Sequence, residues 1–220
     1  MIFFDESRSV SDKKTKERWY IKGRLYDGIL ERFLKRIKKK VADLIAQSDL
    51  FPALDVCCGT GRQCCWVNLK GRPVFGLDLN FKMMRYAGCR NPGPFFICAD
   101  AAHLPCHNSS FKGIILSFAL HEKLPSIRPR ILAEAKQLLA PGGRIIFVDF
   151  EKPWNNKSNL ASFGTTLIER LAGKEHFRNN RDFLERGGLR GIIKENGLAE
   201  VERYDIEAAA IAIVVAEFRD

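Results

Sequence analysis

From Tyr26 to about Gln47 the apolar residues fall at Ile29, Leu30, Phe33, Leu34, Ile37, Val41, Leu44 and Ile45. Steps of three and four predict an amphipathic helix, and its opposite face is basic. After Pro52 the pattern changes to short, continuous apolar runs: Ala53–Cys57, Val74–Leu77, Phe95–Cys98, Gly113–Phe118 and Arg144–Phe150. Each predicts a strand covered on both faces. Between them Arg62–Leu69, Phe81–Ala87 and Ile131–Leu139 predict helices, the last stopped by Pro141-Gly142-Gly143. Strands alternating with helices build a parallel sheet.

Beyond Phe150 helices are expected around Leu160–Leu171 and Asp182–Asn196, then strands at Glu200–Tyr204 and Ala210–Phe218. The last two strands lie too close in sequence for a crossover helix, so they should pair antiparallel. The expected fold is α/β, Rossmann-like and doubly wound. It has a mostly parallel seven-stranded sheet with an antiparallel C-terminal strand and helices on both faces. One domain is expected over residues 1–220: a helical lead-in to residue 50, a core over 51–150, a helical lid over 151–198 and a strand pair over 199–220.

Composition narrows this picture little. Apolar content is 46% and charged content 28%, both ordinary for a globular chain. No run approaches the ~20 apolar residues of a membrane span. Met1–Val10 carries Asp5 and Glu6 and lacks the build of a secretory signal, so a cytoplasmic protein is expected. Seven cysteines include the adjacent pairs Cys57-Cys58 and Cys64-Cys65 but no C-x-x-C. That spacing predicts reduced thiols packed as small hydrophobes, with no metal expected. The net charge of +10 is concentrated in Lys13–Arg24 and Arg32–Lys40. Such a face is either a solvated helix surface or a docking surface for anionic membrane or nucleic acid.

Open α/β sheets bind ligands at the carboxyl ends of their strands. There the sequence places Asp55, Gly59 and Gly61, then Asp78, then Asp100, then Ser117 to His121. Glycines at the first strand-to-helix turn permit a tight turn and close approach of a ligand to the backbone. A dinucleotide fingerprint needs a third glycine three residues after the second, where this chain has Cys64. Asp55, read as part of the turn, would repel a pyrophosphate but suit a cationic amino-acid group. Asp78, 23 residues further on, can accept hydrogen bonds from ribose hydroxyls. Asp100 ends the third strand, beside Ala101.

These segments resemble the class I S-adenosylmethionine-dependent methyltransferases, most of all the ubiquinone/menaquinone C-methyltransferase-like small-molecule group. The matching stretches are LDVCCGTG (54–61), VFGLDLN (74–80), CADAAHLP (98–105), FKGIILSFALHE (111–122) and AKQLLAPGGRIIFVDF (135–150). The resemblance implies S-adenosyl-L-methionine as cofactor. Asp55, Cys57, Gly59 and Gly61 would lie around its methionine moiety. Asp78 and Leu79 would lie at the ribose, Asp100 and Ala101 at the adenine, and Ser117 and Phe118 beside the cofactor. Cys57 departs from the family, which often has glycine there, so tighter packing against the cofactor is expected.

His121 is the candidate base or acceptor contact, because an imidazole pKa of about 6.5 suits proton removal at neutral pH. Glu122 reads as a weaker, solvent-exposed candidate. His103 reads as structural. His176, Tyr20 and Tyr26 are candidate lining of an acceptor cavity. The aromatic positions Phe33, Phe163, Phe177 and Phe183 suggest a lid over a hydrophobic or amphipathic acceptor, quinol-like or lipid-like. Ser117-Phe118-Ala119-Leu120 lacks the Asn/Asp-Pro-Pro-aromatic motif of amino-methylation of bases, and Cys106 follows the wrong strand for cytosine C5 chemistry. Two alternatives stay open: an RNA or protein methyltransferase docking through the basic helix, and a non-catalytic cofactor-binding domain. Nucleic acid is not the expected partner, and the oligomeric state is not legible.

Overall fold

The computed structural model describes residues 34–69, 71–152, 174–206 and 210–219. The chain divides into two compact units, Met1–Arg36 and Ile37–Asp220. The first is described only over residues 34–36, at the start of helix α1 (34–47). Tyr20, Tyr26, Phe33, Phe163 and the helix expected at Leu160–Leu171 lie outside the described residues.

In the second unit α1 buries Ile37, Val41, Leu44 and Ile45, the stripe that its spacing requires. The elements that follow are β1 (Ala53–Val56), α2 (Arg62–Asn68), β2 (Val74–Asp78), α3 (Phe81–Arg90), β3 (Phe95–Cys98) and β4 (Phe111–Ser117). A single 3-10 turn, Leu120–Glu122, leads to α4 (Arg128–Leu138) and β5 (Leu139–Phe150). The chain ends with α5 (Lys174–Glu185), α6 (Gly188–Glu195), β6 (Leu198–Ile206) and β7 (Ile211–Phe218).

The strand order is β3-β2-β1-β4-β5-β7-β6. The first five strands are parallel, and β7 runs antiparallel between β5 and β6. This is the expected seven-stranded sheet. The order reverses between β1 and β4, so a crevice opens at the carboxyl ends of those two strands. The core has Leu54, Val56, Leu77, Ile114, Leu116, Ile145 and Phe147 from the sheet, covered by Ile131, Leu132, Ala135 and Leu138 of α4 and by Ile192 and Ile193 of α6.

Two boundaries differ from expectation. Helix α4 stops at Leu138, before Pro141-Gly142-Gly143, which lies within β5 with Gly142 at φ 72°. The segment 182–196 is two helices, broken at Gly187 and Gly188, where φ is 100° and 63°. Only glycine takes such values without steric strain. A Cβ on Gly188 would stand 2.8 Å from the Phe150 carbonyl oxygen.

Candidate active site

The turn after β1 is built on three left-handed residues: Cys57 (φ 62°), Gly59 (φ 54°) and Gly61 (φ 73°). Gly61 is required twice, because a Cβ there would lie 2.6 Å from the Phe96 ring. A Cβ on Gly59 would meet nothing within 4 Å, so this glycine faces open space. Cys57 holds a conformation that costs an L-residue roughly 1–2 kcal/mol. The departure from the glycine that the resemblance implies is therefore one of backbone strain as well as bulk.

Asp78 organises this turn. One carboxylate oxygen accepts the Gly59 N–H at 3.0 Å, and the other accepts the Asn80 N–H at 2.9 Å. Asn80 then caps α3 by accepting from Lys82 and Met83. Asn91, buried at the far end of α3, donates to the Thr60 carbonyl at 2.9 Å and ties the other side of the turn.

Asp55 is not part of the turn. It lies within β1, opposite Gly76 of β2 and Ile115 of β4, and is fully buried. The reading of Asp55 as a turn residue is corrected accordingly, since the strand runs one residue beyond it before the chain bends. The Cys64 thiol donates to its carboxylate at 3.3 Å. Burial pushes the Asp55 carboxyl up to about 7, with Asp78 adding to the effect against the Cys64 bond and Lys38. Burial likewise pushes the Cys57 thiol up to about 12 and raises Cys58 and Cys64, so these cysteines are neutral thiols as expected.

Leu79 is exposed at the end of β2. Asp100 accepts the Ala102 N–H at 2.9 Å, which forms the turn after β3, while Ala101 is buried in the core. His103 stands 3.7 Å from Asp100, and its Nε2 meets Arg130 at 2.8 Å, a surface role consistent with a structural histidine. Ser117 ends β4. Phe118 takes φ 51°, donates its N–H to Val148 at 2.7 Å and packs edge-on against Phe150.

His121 lies on the 3-10 turn and is buried. Its Nδ1 sits 2.7 Å from Asp149 Oδ1. Asp149 also accepts the N–H groups of Leu120 (3.1 Å), His121 (3.3 Å) and Phe150 (2.9 Å). A buried carboxylate so bonded fixes the imidazole with its proton on Nδ1 and its lone pair on Nε2. Nε2 points towards Glu122 at 3.9 Å, and Glu122 meets His176 of α5 at 3.3 Å. Glu122 is thus a bonded, half-buried group and not the solvent-exposed one expected. Burial opposes its charge, but the His176 hydrogen bond and the nearby basic groups hold its carboxyl below the ordinary value.

Three residues were not foreseen in the sequence. Asp149 is an acid inside the apolar run of β5, and that mismatch was its only signal. Lys123 is the cation among the acids. Burial works against its ammonium, yet Cys57, Glu122, Asp78 and Asp100 raise its pKa above that of an ordinary lysine. Arg128 is buried and donates to the Leu120 carbonyl (3.0 Å), the Asp182 carboxylate (2.6 Å) and the Asn179 carbonyl (2.7 Å). It locks α5 onto the 3-10 turn. Phe183 is core, stacked near Arg128, so it is no lid residue; Phe177 is exposed.

An open sheet of this order, with a glycine turn and carboxylates at successive strand ends, defines the class of nucleoside-cofactor-binding α/β domains used by methyltransferases. The comparisons agree. Residues 54–147 match the methyltransferase domain family. A ubiquinone/menaquinone biosynthesis C-methyltransferase of Acidiphilium cryptum is 33% identical over 178 residues, covering 73% of this chain and 71% of that protein. A demethylmenaquinone methyltransferase of Thermotoga maritima is 31% identical over 143 residues, covering 59% and 62%. The chain spans about half to three-fifths of the length of the first curated relatives that it matches. The N-methyltransferase NodS of Bradyrhizobium japonicum, solved with S-adenosylhomocysteine, shares the fold with a TM-score of 0.54 at 16% identity, over 83% of this chain and 86% of that one. The chain belongs to the class I S-adenosylmethionine-dependent methyltransferases, close to the ubiquinone/menaquinone C-methyltransferase group.

Proposed function

We propose that this chain transfers a methyl group from S-adenosylmethionine to a small hydrophobic or amphipathic acceptor of the quinol-like class. The observation that carries the reading is the pairing, across the β1–β4 switch point, of the Asp78-anchored glycine turn with the His121–Asp149 pair. The residues suit the cofactor. Gly59 opens on space that a Cβ would enter, and the acids Asp78, Asp100 and Glu122 favour a cationic ligand over a phosphate. Asp78 and Leu79 would hold the ribose, Asp100 and Ala101 the adenine, and Cys57, Gly59, Gly61, Ser117 and Phe118 the rest, with Asp55 acting from beneath the turn. When bound, the sulfonium supplies an electrophilic methyl group.

The chain's own task is positioning and proton removal. Asp149 orients His121, whose Nε2 can take a proton from an acceptor hydroxyl or ring carbon. The names of the relatives at 31% and 33% identity support a quinone-type acceptor. Such an acceptor resides in lipid, which suits a peripheral contact with anionic membrane through the basic positions ahead of residue 41. Of these, Lys39 pairs with Asp43 at 3.4 Å and Lys40 stacks 3.8 Å over the Tyr204 ring. Among the described residues no helix is long and apolar enough to cross a membrane.

Titration calorimetry with S-adenosylhomocysteine should show one site per chain, and labelled S-adenosylmethionine should methylate a member of a quinol panel. A folded chain that binds neither cofactor form refutes the reading. Binding without transfer to any quinol refutes the acceptor class alone.

A further inference from the structure

We propose that His121, Glu122 and His176 form a binding site for a divalent transition metal of the Zn2+ type. The ligand atoms of the three side chains all lie within 4.8 Å of one another. In a tetrahedral site with metal–nitrogen and metal–oxygen distances near 2.0–2.1 Å, ligand atoms stand about 3.3 Å apart. His176 Nε2 and Glu122 Oε2 are already at 3.3 Å, and His121 Nε2 is 3.9 Å from Glu122 Oε1.

The surroundings have the form of a ligand shell and its support. A metal-bound imidazole normally gives its other N–H to a carboxylate, which fixes ring orientation and basicity. Asp149 accepts from His121 Nδ1 at 2.7 Å and is itself held by three backbone N–H groups. The two elements that carry the ligands are cross-linked. Arg128 joins Leu120 to Asp182 and Asn179 of α5, and Asn179 donates to the Glu122 carbonyl at 2.8 Å. Two imidazoles and one carboxylate are the donor set of zinc sites that keep a fourth position open. That position would take water. A cation there would occupy the lone pair of His121 Nε2, so the metal-bound form would not use that nitrogen as a base. The cysteine-spacing rule missed the site because its ligands are two neighbours and one residue 54 positions further on.

The site stands apart from the methyl-transfer reading, because its test uses metal alone. Chelator-stripped protein is titrated with Zn2+ against a chromophoric chelator, and the Co2+ form is followed by visible absorption. One ion per chain is expected, with a Co2+ spectrum showing nitrogen and oxygen ligands and no thiolate charge-transfer band. Asp149→Asn should weaken Zn2+ about 10- to 100-fold, and His176→Ala or Glu122→Gln should weaken it further. No binding by the parent protein, affinity unchanged in His176→Ala, or a thiolate band in the parent spectrum from Cys89 or Cys98 would each overturn the assignment. The parent spectrum decides the matter even if a variant folds poorly.

Discussion

Replacing Asp55 by Asn should change how stability depends on pH. The carboxyl is raised from 3.8 to about 7 by burial within β1. In the unfolded chain it titrates near 4, so between the two values the folded state binds more protons. Stability from this group is therefore full below the unfolded value and declines as pH rises towards 7. The shift of about three units corresponds to about 4 kcal/mol at 1.36 kcal/mol per unit. Between pH 5 and pH 8 the parent should lose about 2–3 kcal/mol through Asp55 alone. The variant cannot ionise, so it should lose that slope. Its absolute stability is a poorer measure, because the new amide nitrogen needs a partner and an unmet one costs about 1–3 kcal/mol. Urea unfolding of both proteins without cofactor at pH 5, 6, 7 and 8 gives the two curves. Parallel curves would refute the claim that Asp55 is a desolvated acid. Should Asn raise stability at pH 8 while weakening S-adenosylhomocysteine, the buried charge is kept for the ligand at the expense of the fold.

Gly59→Ala should lower stability by about 1–2 kcal/mol through its left-handed φ, whereas Gly61→Ala adds about 1–3 kcal/mol of overpacking against Phe96, as urea midpoints would register. For cofactor affinity by calorimetry, Gly59→Ala should remain damaging because the new Cβ enters the open crevice. Cys57→Gly should be more stable than Cys57→Ala by about 1 kcal/mol, the reverse of the usual order, and equal stabilities would remove the strain at φ 62°. Asp78→Ala should cost about 1–3 kcal/mol in the cofactor-free protein as well as cofactor affinity, since Gly59 and Asn80 lose their acceptor. Arg128→Met should lower stability by about 3 kcal/mol in urea, because two carbonyls and Asp182 lose a buried partner.

Much of the fold was legible because its signals are local. The five apolar runs from Ala53 to Phe150 read as strands, four of them covered; β3 is instead the sheet edge, with Phe95 60% exposed, so its apolar run overstated its burial. The short link between the last two strands fixed their antiparallel pairing. The turn at Gly59 and Gly61 was legible for the same reason: the left-handed conformation of each is written in its own residue type. Cys57 was legible as an oddity, but only the backbone shows that it shares the glycines' φ. Asp55 lies inside the strand expected over Ala53–Cys57, yet it was read with the turn because an acid in an apolar run looks like a ligand contact in sequence.

What sequence could not show is pairing over distance. His121 finds Asp149 across 28 residues, Arg128 finds Asp182 across 54, and Gly59 finds Asp78 across 19. Each pair contains a group that burial would penalise if it stood alone, so each exists only because the tertiary fold brings its partner to it: the sheet for Asp78 and Asp149, helix packing for Asp182. Read singly, Asp149 and Arg128 carry no signal of their role, and Glu122 reads as a surface carboxylate. Together they hold the 3-10 turn between β5 and α5. The turn's rigidity therefore belongs to the tertiary structure, and His121 depends on residues that no local motif contains. This separates the two sides of the crevice: the glycine side is specified by backbone conformation, and the histidine side by buried charge. Substitutions on the first should act mainly through strain and ligand access, and on the second mainly through loss of partners.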